Sequence, residues 1–448
     1  MVSIVACIGR IKNNLCRILD RLQIERHCRE AGYHPRQIGP LGPATTLGLF
    51  MQQILQGNVS CAAVRHWAGK SFTPQAYCDA RMRLPLPVVQ RLALETAAAM
   101  ERDGGSQQEH RFHGHRVLLL DGSSYSMPDT PELQKRFGQP GMQKPGCGFP
   151  VAHWLALFNS STGMAVDTLA APLRTHEASE VGQIQKQMQP QDLVVGDDSF
   201  GTYAHLCLLR MRDLHGLFPT HHHRIVDFTP HRPCIEPGKG SEGKGLPRSR
   251  WIKRLGHNDQ LVEWLKPAKK PAWMTAAQWK GLPESIVVRE VRRTLHRFRR
   301  RPITLTIVTT LLDPKRYPAR ELFQVRKERW NVEIDFRHLK TTMKMEVLHC
   351  RTVQGVLKEM WVYLLVYNLV RMVMLEAATR QKVSCDRISF ADTLGWMRHA
   401  DVGDELPELI IVPYRPDRIE PRAVKRRLDR YARMTRPRQV MREEIRNT

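Results

Sequence analysis

The chain has no Cys-x-x-Cys pair, although its 448 residues include ten cysteines, at positions 7, 16, 28, 61, 78, 147, 207, 234, 350 and 385. Without that spacing there is no zinc-ribbon or redox motif. Cysteines scattered through apolar and helical contexts suit reduced, buried thiols in a cytoplasmic protein. Internal repeats and low-complexity tracts are also missing, which excludes a solenoid. No apolar run is long and clean enough to cross a membrane. The opening MVSIVACIGRIKNNL is too short for a signal peptide and lacks a small-residue cleavage site. Met360 to Leu375 is interrupted by Asn368 and Arg371 and reads as a buried core helix. Acid is scarce: 44 Asp plus Glu face 69 Lys plus Arg, a net charge of +25. An excess of that size, gathered into stripes, points to nucleic acid or an acidic membrane surface as partner.

With 42% hydrophobic residues the chain is globular, and its length predicts two or three domains. Residues 1–105 read as a separate, basic helical domain, with apolar residues at helical spacing in Leu47, Phe50, Met51, Ile54 and Leu55, and again from Val88 to Leu94. A linker follows to His115. Strands are expected at Arg116–Asp121, Val151–Phe158 and Met164–Ala171, then a helix Glu177–Met188 and a strand Asp192–Gly196. A helix Tyr203–Leu214 and a strand near Leu217–His221 complete the series. Three strands followed by alternating helix and strand describe an α/β fold, a mixed sheet flanked by helices, in the order used by ribonuclease H-like domains. Its first part spans 115–223. Residues 224–312, too long for a bare loop, read as an inserted β subdomain. Residues 313–400 return to the catalytic domain, and 401–448 form a basic tail.

Asp121 and Asp197 each close an apolar run, and Glu333 lies on a patterned helix. A single Asp after a strand is usually a turn former or cap, so the helix carries the argument. At 100° per residue, Arg326, Arg329, Glu333, Arg337 and Lys340 fall within about 40° of one line. Val325, Val332, Phe336 and Leu339 form a separate docking stripe. Surface ion pairs could explain one Arg–Glu contact, but four cations around one carboxylate exceed pairing. They suit a carboxylate that binds metal while its neighbours grip phosphates. Two Asp and one Glu suffice for two Mg²⁺ ions, with Mn²⁺ as an alternative. Asp198 adjoins Asp197, and on extended chain only one of the two can face the site. By the same alternation His221, His222 and His223 cannot all ligate one ion. Scattered Gly-x-Ser fragments lack a hydrolase context.

The segments VLLLDGSSYSMPDTPELQKRFGQP, DLVVGDDSFGTYAHL and TIVTTLLDPKRYP with RWNVEIDFRHLKTTMKMEVLHCRT resemble the Asp, Asp and Glu motifs of bacterial insertion-sequence DDE transposases, in the insertion-sequence-four family. GPLGPATTLGLFMQQILQGNVSCAAVR and AYCDARMRLPLPVV resemble that family's helical DNA-binding region. The resemblance implies metal ligation by Asp121, Asp197 and Glu333, and backbone contacts from Arg329 and Lys340. The family pattern Tyr-x2-Arg-x3-Glu-x6-Lys has Arg326 here in place of Tyr, and Asp198 stands where relatives usually have Arg. It further implies cut-and-paste transposition at terminal inverted repeats, by a homodimer assembled on double-stranded DNA ends near the nucleoid, with a hairpin step in which an aromatic stacks a flipped base. Leu305 occupies the expected position of that residue, and Trp264, Trp273 and Trp279 lie upstream. The runs Arg289–Arg301 and Arg415–Arg446 are expected to add phosphate contacts. A plain nuclease or resolvase would cut without joining, and a decayed repressor copy would bind without cutting.

Overall fold

The four apolar residues before Asp121 divide between two cores, as successive strand residues must. Val117 and Leu119 join one cluster; Leu118 and Leu120 join another on the opposite face. Burial on both faces explains why this strand is an unbroken apolar run rather than an alternation. The computed structural model describes residues 19–34, 39–69, 71–103, 111–173, 175, 184, 187–235, 245–297, 300–400, 404–413 and 434–447. The expected helix Glu177–Met188 lies largely outside them.

The strands are β1 Val117–Ser126, β2 Val151–Asn159, β3 Ala165–Pro172, β4 Leu193–Val195, β5 His215–Pro219, β6 Ser249–Gly256, β7 Asp259–Leu265, β8 Ser285–Arg297 and β9 Arg300–Thr309. They form one mixed sheet in the order β3-β2-β1-β4-β5-β9-β8-β7-β6. β1 is antiparallel to β2 and parallel to β4, and β4 is parallel to β5. β9 then pairs antiparallel with β5, covering an edge that would otherwise be open. The strands expected as an inserted subdomain therefore continue the main sheet.

The helices among the described residues are α1 Arg21–Glu30, α2 Pro43–Leu55, α3 Cys61–Trp67, α4 Pro74–Arg83, α5 Leu86–Asp103, α6 Pro131–Phe137, α7 Tyr203–Arg210, α8 Ala276–Lys280, α9 Ala319–Glu328, α10 Asn331–Arg337, α11 Val353–Gln381, α12 Phe390–His399 and α13 Arg438–Asn447. Side chains of Asp20, Ser60 and Thr73 cap α1, α3 and α4, and proline opens α2 and α4. The described residues between 21 and 103 are largely helical, as expected, and Leu49, Val64, Ala68 and Tyr77 form a small cluster of their own, but most of their apolar side chains join the main core. Leu47, Phe50 and Ile54 of α2 and Val88 and Leu92 of α5 bury in the same cluster as Val362, Val366 and Leu369 of α11.

α11 is long and apolar enough to cross a membrane by length and composition, yet it is buried on nearly every side. Its two polar interruptions are ties to the sheet. Asn368 accepts from the Ala165 amide and donates to the Ala165 carbonyl, both at 2.9 Å, as a neighbouring strand would. Arg371 donates twice to the Thr162 carbonyl, at 3.0 and 2.7 Å. Tyr367 donates to the carbonyl of Gly163 at 2.7 Å, and Gly163 holds φ +66° in this β2–β3 turn.

His205 of α7 is wholly buried and its Nδ1 donates to the Phe200 carbonyl at 2.9 Å, which leaves Nε2 without a hydrogen-bond partner. Burial pushes its pKa down to about 4, only partly opposed by that carbonyl. The folded imidazole is thus neutral where an unfolded one, near 6.5, takes a proton. Its contribution to stability is full above pH 6.5 and is lost as pH falls from 6.5 to 4, a drop on the order of 3 kcal/mol. In thermal melts across that window, His205→Asn should lower stability at neutral pH but flatten the acid slope. An unchanged slope would assign the acid sensitivity elsewhere.

Candidate active site

The register of β1 against β4 sets two carboxylates side by side. Leu119 pairs with Val195. Asp121 lies two residues further along β1, and Asp197 two residues past the end of β4, in extended backbone that caps the next turn; adjoining strands run about 5 Å apart. Asp121 does not end its strand, as the sequence suggests; it is the fifth of ten residues. β1 continues to Ser126 because Gly122–Ser126 stay paired with β2, while the parallel partner stops at Val195. Asp121 therefore marks the end of the parallel ladder, where a side chain faces no strand on that side.

Asp197 is held by the turn that follows it. Its Oδ1 accepts from the Ser199 amide at 3.0 Å and the Ser199 hydroxyl at 2.6 Å, capping the short 3-10 turn Asp198–Phe200. Gly196 lets the chain approach β1: a Cβ there would lie 2.8 Å from the Phe200 ring and 3.2 Å from the Leu120 carbonyl. Gly201 ends the turn equally tightly, with a Cβ only 2.3 Å from the Pro219 carbonyl. Asp198 points away from this cap, toward His222 Nδ1 at 3.5 Å. The three histidines do not alternate faces. They occupy a turn with their rings clustered, His221 to His222 at 4.3 Å and His222 to His223 at 3.9 Å between centroids.

Glu333 lies on the helical segment that packs on the sheet, and that segment is not one straight helix. α9 ends at Glu328 and α10 begins at Asn331. Between them the bonds tighten to i→i−3, from Arg329, Trp330, Val332 and Glu333 to Arg326, Lys327, Arg329 and Trp330. Residues His338–Thr342 then widen into a π turn, a feature frequent at functional sites. The single line of five residues is accordingly broken. Val332 and Phe336 dock α10, the Phe336 ring meeting Trp154 at 4.9 Å and Phe158 at 5.5 Å. Glu333 stands on the opposite, exposed side, 66% accessible.

Arg329 ties these parts together. One terminal nitrogen donates to Asp121 Oδ2 at 2.7 Å and the other to Glu333 Oε1 at 3.3 Å. Arg326 is buried beneath. Burial and the adjacent Arg329 push its guanidinium pKa down to about 10, against the pull of Asp197, Asp121 and Asp198. The Nε atoms of both arginines are buried without a hydrogen-bond partner. Lys340 donates to Ser123 Oγ at 3.3 Å, on the stretch of β1 beyond Asp121. Arg337 is exposed in the last turn of α10, with no described bond to the carboxylates. Among the described residues no three His, Cys, Asp or Glu side chains stand together as a metal-binding cluster. The guanidinium of Arg329 lies between two of the three acids instead.

Sequence reasoning missed Ser199 and Ser123, which hold Asp197 and Lys340. Their signal was the serine that follows each Asp by two residues, which reads as ordinary turn chemistry. Trp264, not assigned as a base clamp, is fully buried and donates to Glu290 at 2.8 Å, as a packing residue does. One expectation for DNA contact changes as well. Arg289 is equally buried and pairs with Asp259 at 2.8 and 2.6 Å, which removes it from any phosphate-gripping run. Of the basic tail, 414–433 lie outside the described residues. α13 beyond them docks through Arg438, whose guanidinium sits 3.8 Å from the Phe149 ring centroid and 3.1 Å from Asp129.

The family described as Transposase DDE domain matches residues 112–369, more than half of the chain and including all three carboxylates. The Escherichia coli (strain K12) protein "Transposase InsG for insertion sequence element IS4" is 25% identical over 378 residues, 80% of this chain and 78% of that one. "Putative transposase InsZ" from the same organism is 29% identical over 201 residues, 44% of this chain and 62% of its own length. A solved piggyBac transposase synaptic complex with hairpin DNA covers 89% of this chain and 80% of its own, at 8% identity and a TM-score of 0.42, too slight a likeness to argue from. Members of the DDE domain family use divalent metal ions. The match of that domain over more than half of the chain leads to one conclusion: the chain belongs to the DDE transposases, enzymes that cleave DNA and transfer its strands.

Proposed function

We propose that Asp121, Asp197 and Glu333 are the catalytic carboxylates and hold two Mg²⁺ ions, or Mn²⁺, over a DNA phosphodiester. The observation that carries this reading is the double contact of Arg329, which brings the acids of β1 and α10 to one guanidinium, while Asp197 acts on the adjacent Arg326. The donor set is all oxygen and acidic, which suits a hard cation. The order β3-β2-β1-β4-β5, with only β1, β4 and β5 parallel, supports the ribonuclease H-like reading. When bound, the ions would activate a water or 3′-hydroxyl and stabilise the leaving oxygen.

The chain's own residues do the rest. Arg329 exchanges its carboxylate partners for the phosphate beside the cut, and Lys340, set by the π turn, takes a neighbouring phosphate. Arg326 supplies a buried positive charge and an unsatisfied donor below them, in place of the family's tyrosine. Arg337 contacts the backbone further out. None of these residues needs to act as a nucleophile, because the attacking group is water or the DNA 3′-hydroxyl.

The reaction is cut-and-paste transposition. Terminal inverted repeats are bound by two protomers, residues 1–105 supply end recognition, and each strand is nicked, closed as a hairpin, reopened and joined to target DNA. Purified protein with Mg²⁺ or Mn²⁺ and linear DNA carrying the element's own ends should give hairpin and joined products, absent with Asp121→Ala. Cleavage without joining would sink the reading in favour of a nuclease.

A further inference from the structure

The cysteines are not uniformly buried, as their scatter in the sequence suggests. Cys78 on α4 is exposed and Cys61, the first residue of α3, is partly so. Their sulfurs lie 3.8 Å apart. A cavity of about 310 Å³ opens between α3, α4 and the start of α11, and both thiols line it together with Cys350, Arg81 and Lys358. Arg81 is the organising group. Its guanidinium lies 3.7 Å from the centroid of the Phe50 ring, and Nη1 reaches Gln53 Oε1 at 3.0 Å and Cys61 Sγ at 3.6 Å. Nη2 reaches Cys350 Sγ at 3.0 Å.

We infer that Cys61 and Cys78 form a reversible redox pair, oxidised by a small-molecule disulfide that enters this cavity. The thiolate, not the thiol, attacks a disulfide. Cys61 lines the cavity with its sulfur held 3.6 Å from Arg81 Nη1. Cys78, whose thiol is pushed up by burial and the adjacent Cys61, lies 3.8 Å from that sulfur, within reach for the second step. Burial holds Cys350 well above the ordinary thiol range, and it stays reduced.

The chemistry balances without a metal. The Cys61 thiolate attacks one sulfur of the oxidant, forming a mixed disulfide and releasing one small thiolate. Cys78 then attacks the Cys61 sulfur, forming the Cys61–Cys78 bond and releasing the second. The two protons lost by the cysteines leave on the two small thiols, and the oxidant takes up two electrons. The bridge would tie the first turn of α3 to the middle of α4, fixing two helices of the segment proposed to recognise DNA ends. The inference does not depend on that role.

The test is peptide mapping of the full-length protein after treatment with oxidised glutathione. Trypsin cuts between the two cysteines, at Arg65 and Lys70, so the bridge appears as one linked peptide pair. That pair should dominate while Cys207 and Cys385 remain unmodified, and a dithiol reductant should remove it. Cys78→Ser should stop at glutathione on Cys61, whereas Cys61→Ser should lose most modification in this cavity. Glutathione retained on Cys78 alone in the unmutated protein would overturn the inference. So would a Cys78–Cys350 bridge, or a Cys78→Ser protein unmodified at Cys61.

Discussion

Glu333→Gln should lower metal-dependent cleavage and joining by on the order of a thousandfold or more, while DNA affinity holds or rises. The substitution removes one negative charge and one ligand oxygen from a side chain that is 66% accessible. Its only described ion pair is a 3.3 Å contact with Arg329 in the preceding turn, worth a few tenths of a kcal/mol at such exposure. Folding therefore changes little, and less repulsion toward phosphate follows. Cleavage assays beside equilibrium binding separate the two effects. A fall in binding as large as the fall in cleavage would mean that Glu333 serves the fold. Asp121→Asn should match the catalytic loss but also cost stability, since Asp121 is the nearer partner of a largely buried Arg329, at 2.7 Å.

Arg289→Ala should destabilise the protein by about 3–5 kcal/mol, the usual cost of leaving a buried charge without its partner. Arg289 is fully enclosed between β7 and β8. Two nitrogens hold Asp259, and a third donates to the Tyr317 carbonyl at 2.7 Å. Removal strands the Asp259 carboxylate and frees a backbone acceptor at the same time. Denaturant unfolding reads the loss. The salt dependence of DNA binding should keep its slope, because no phosphate contact is removed. A slope shallower by about one with unchanged stability would restore Arg289 to the phosphate-gripping run.

These two residues show where sequence was and was not a sufficient guide. Charge excess is countable in a sequence, but its destination is not. Arg81, Arg116, Arg232, Arg289, Arg326 and Arg371 all bury. Each answers to a partner distant in sequence, such as Asp192 for Arg116 or Thr162 for Arg371. A stripe of arginines therefore overstated the surface offered to DNA. Asn368 and Arg371, which looked like interruptions of an apolar helix, are its attachments to the β2–β3 turn.

The sequence by itself determined what depends on short-range pattern. Unbroken apolar runs marked β1 and β4 as strands, and helical spacing marked α2, α5 and α11. The acids that follow those runs and the helical Glu333 were legible as a set because their types, positions and basic neighbours suit one chemistry. Only the tertiary structure decided how they meet. The Leu119–Val195 register levels Asp121 with Asp197, and pairing with β2 carries β1 beyond Asp121. Tightened bonds at Arg329–Glu333 break the helix, so Arg329 turns to the sheet while Arg337 stays in solvent. The physical reason is common to all three: strand register and the seating of a broken helix are settled by contacts tens to hundreds of residues apart, which local periodicity cannot encode.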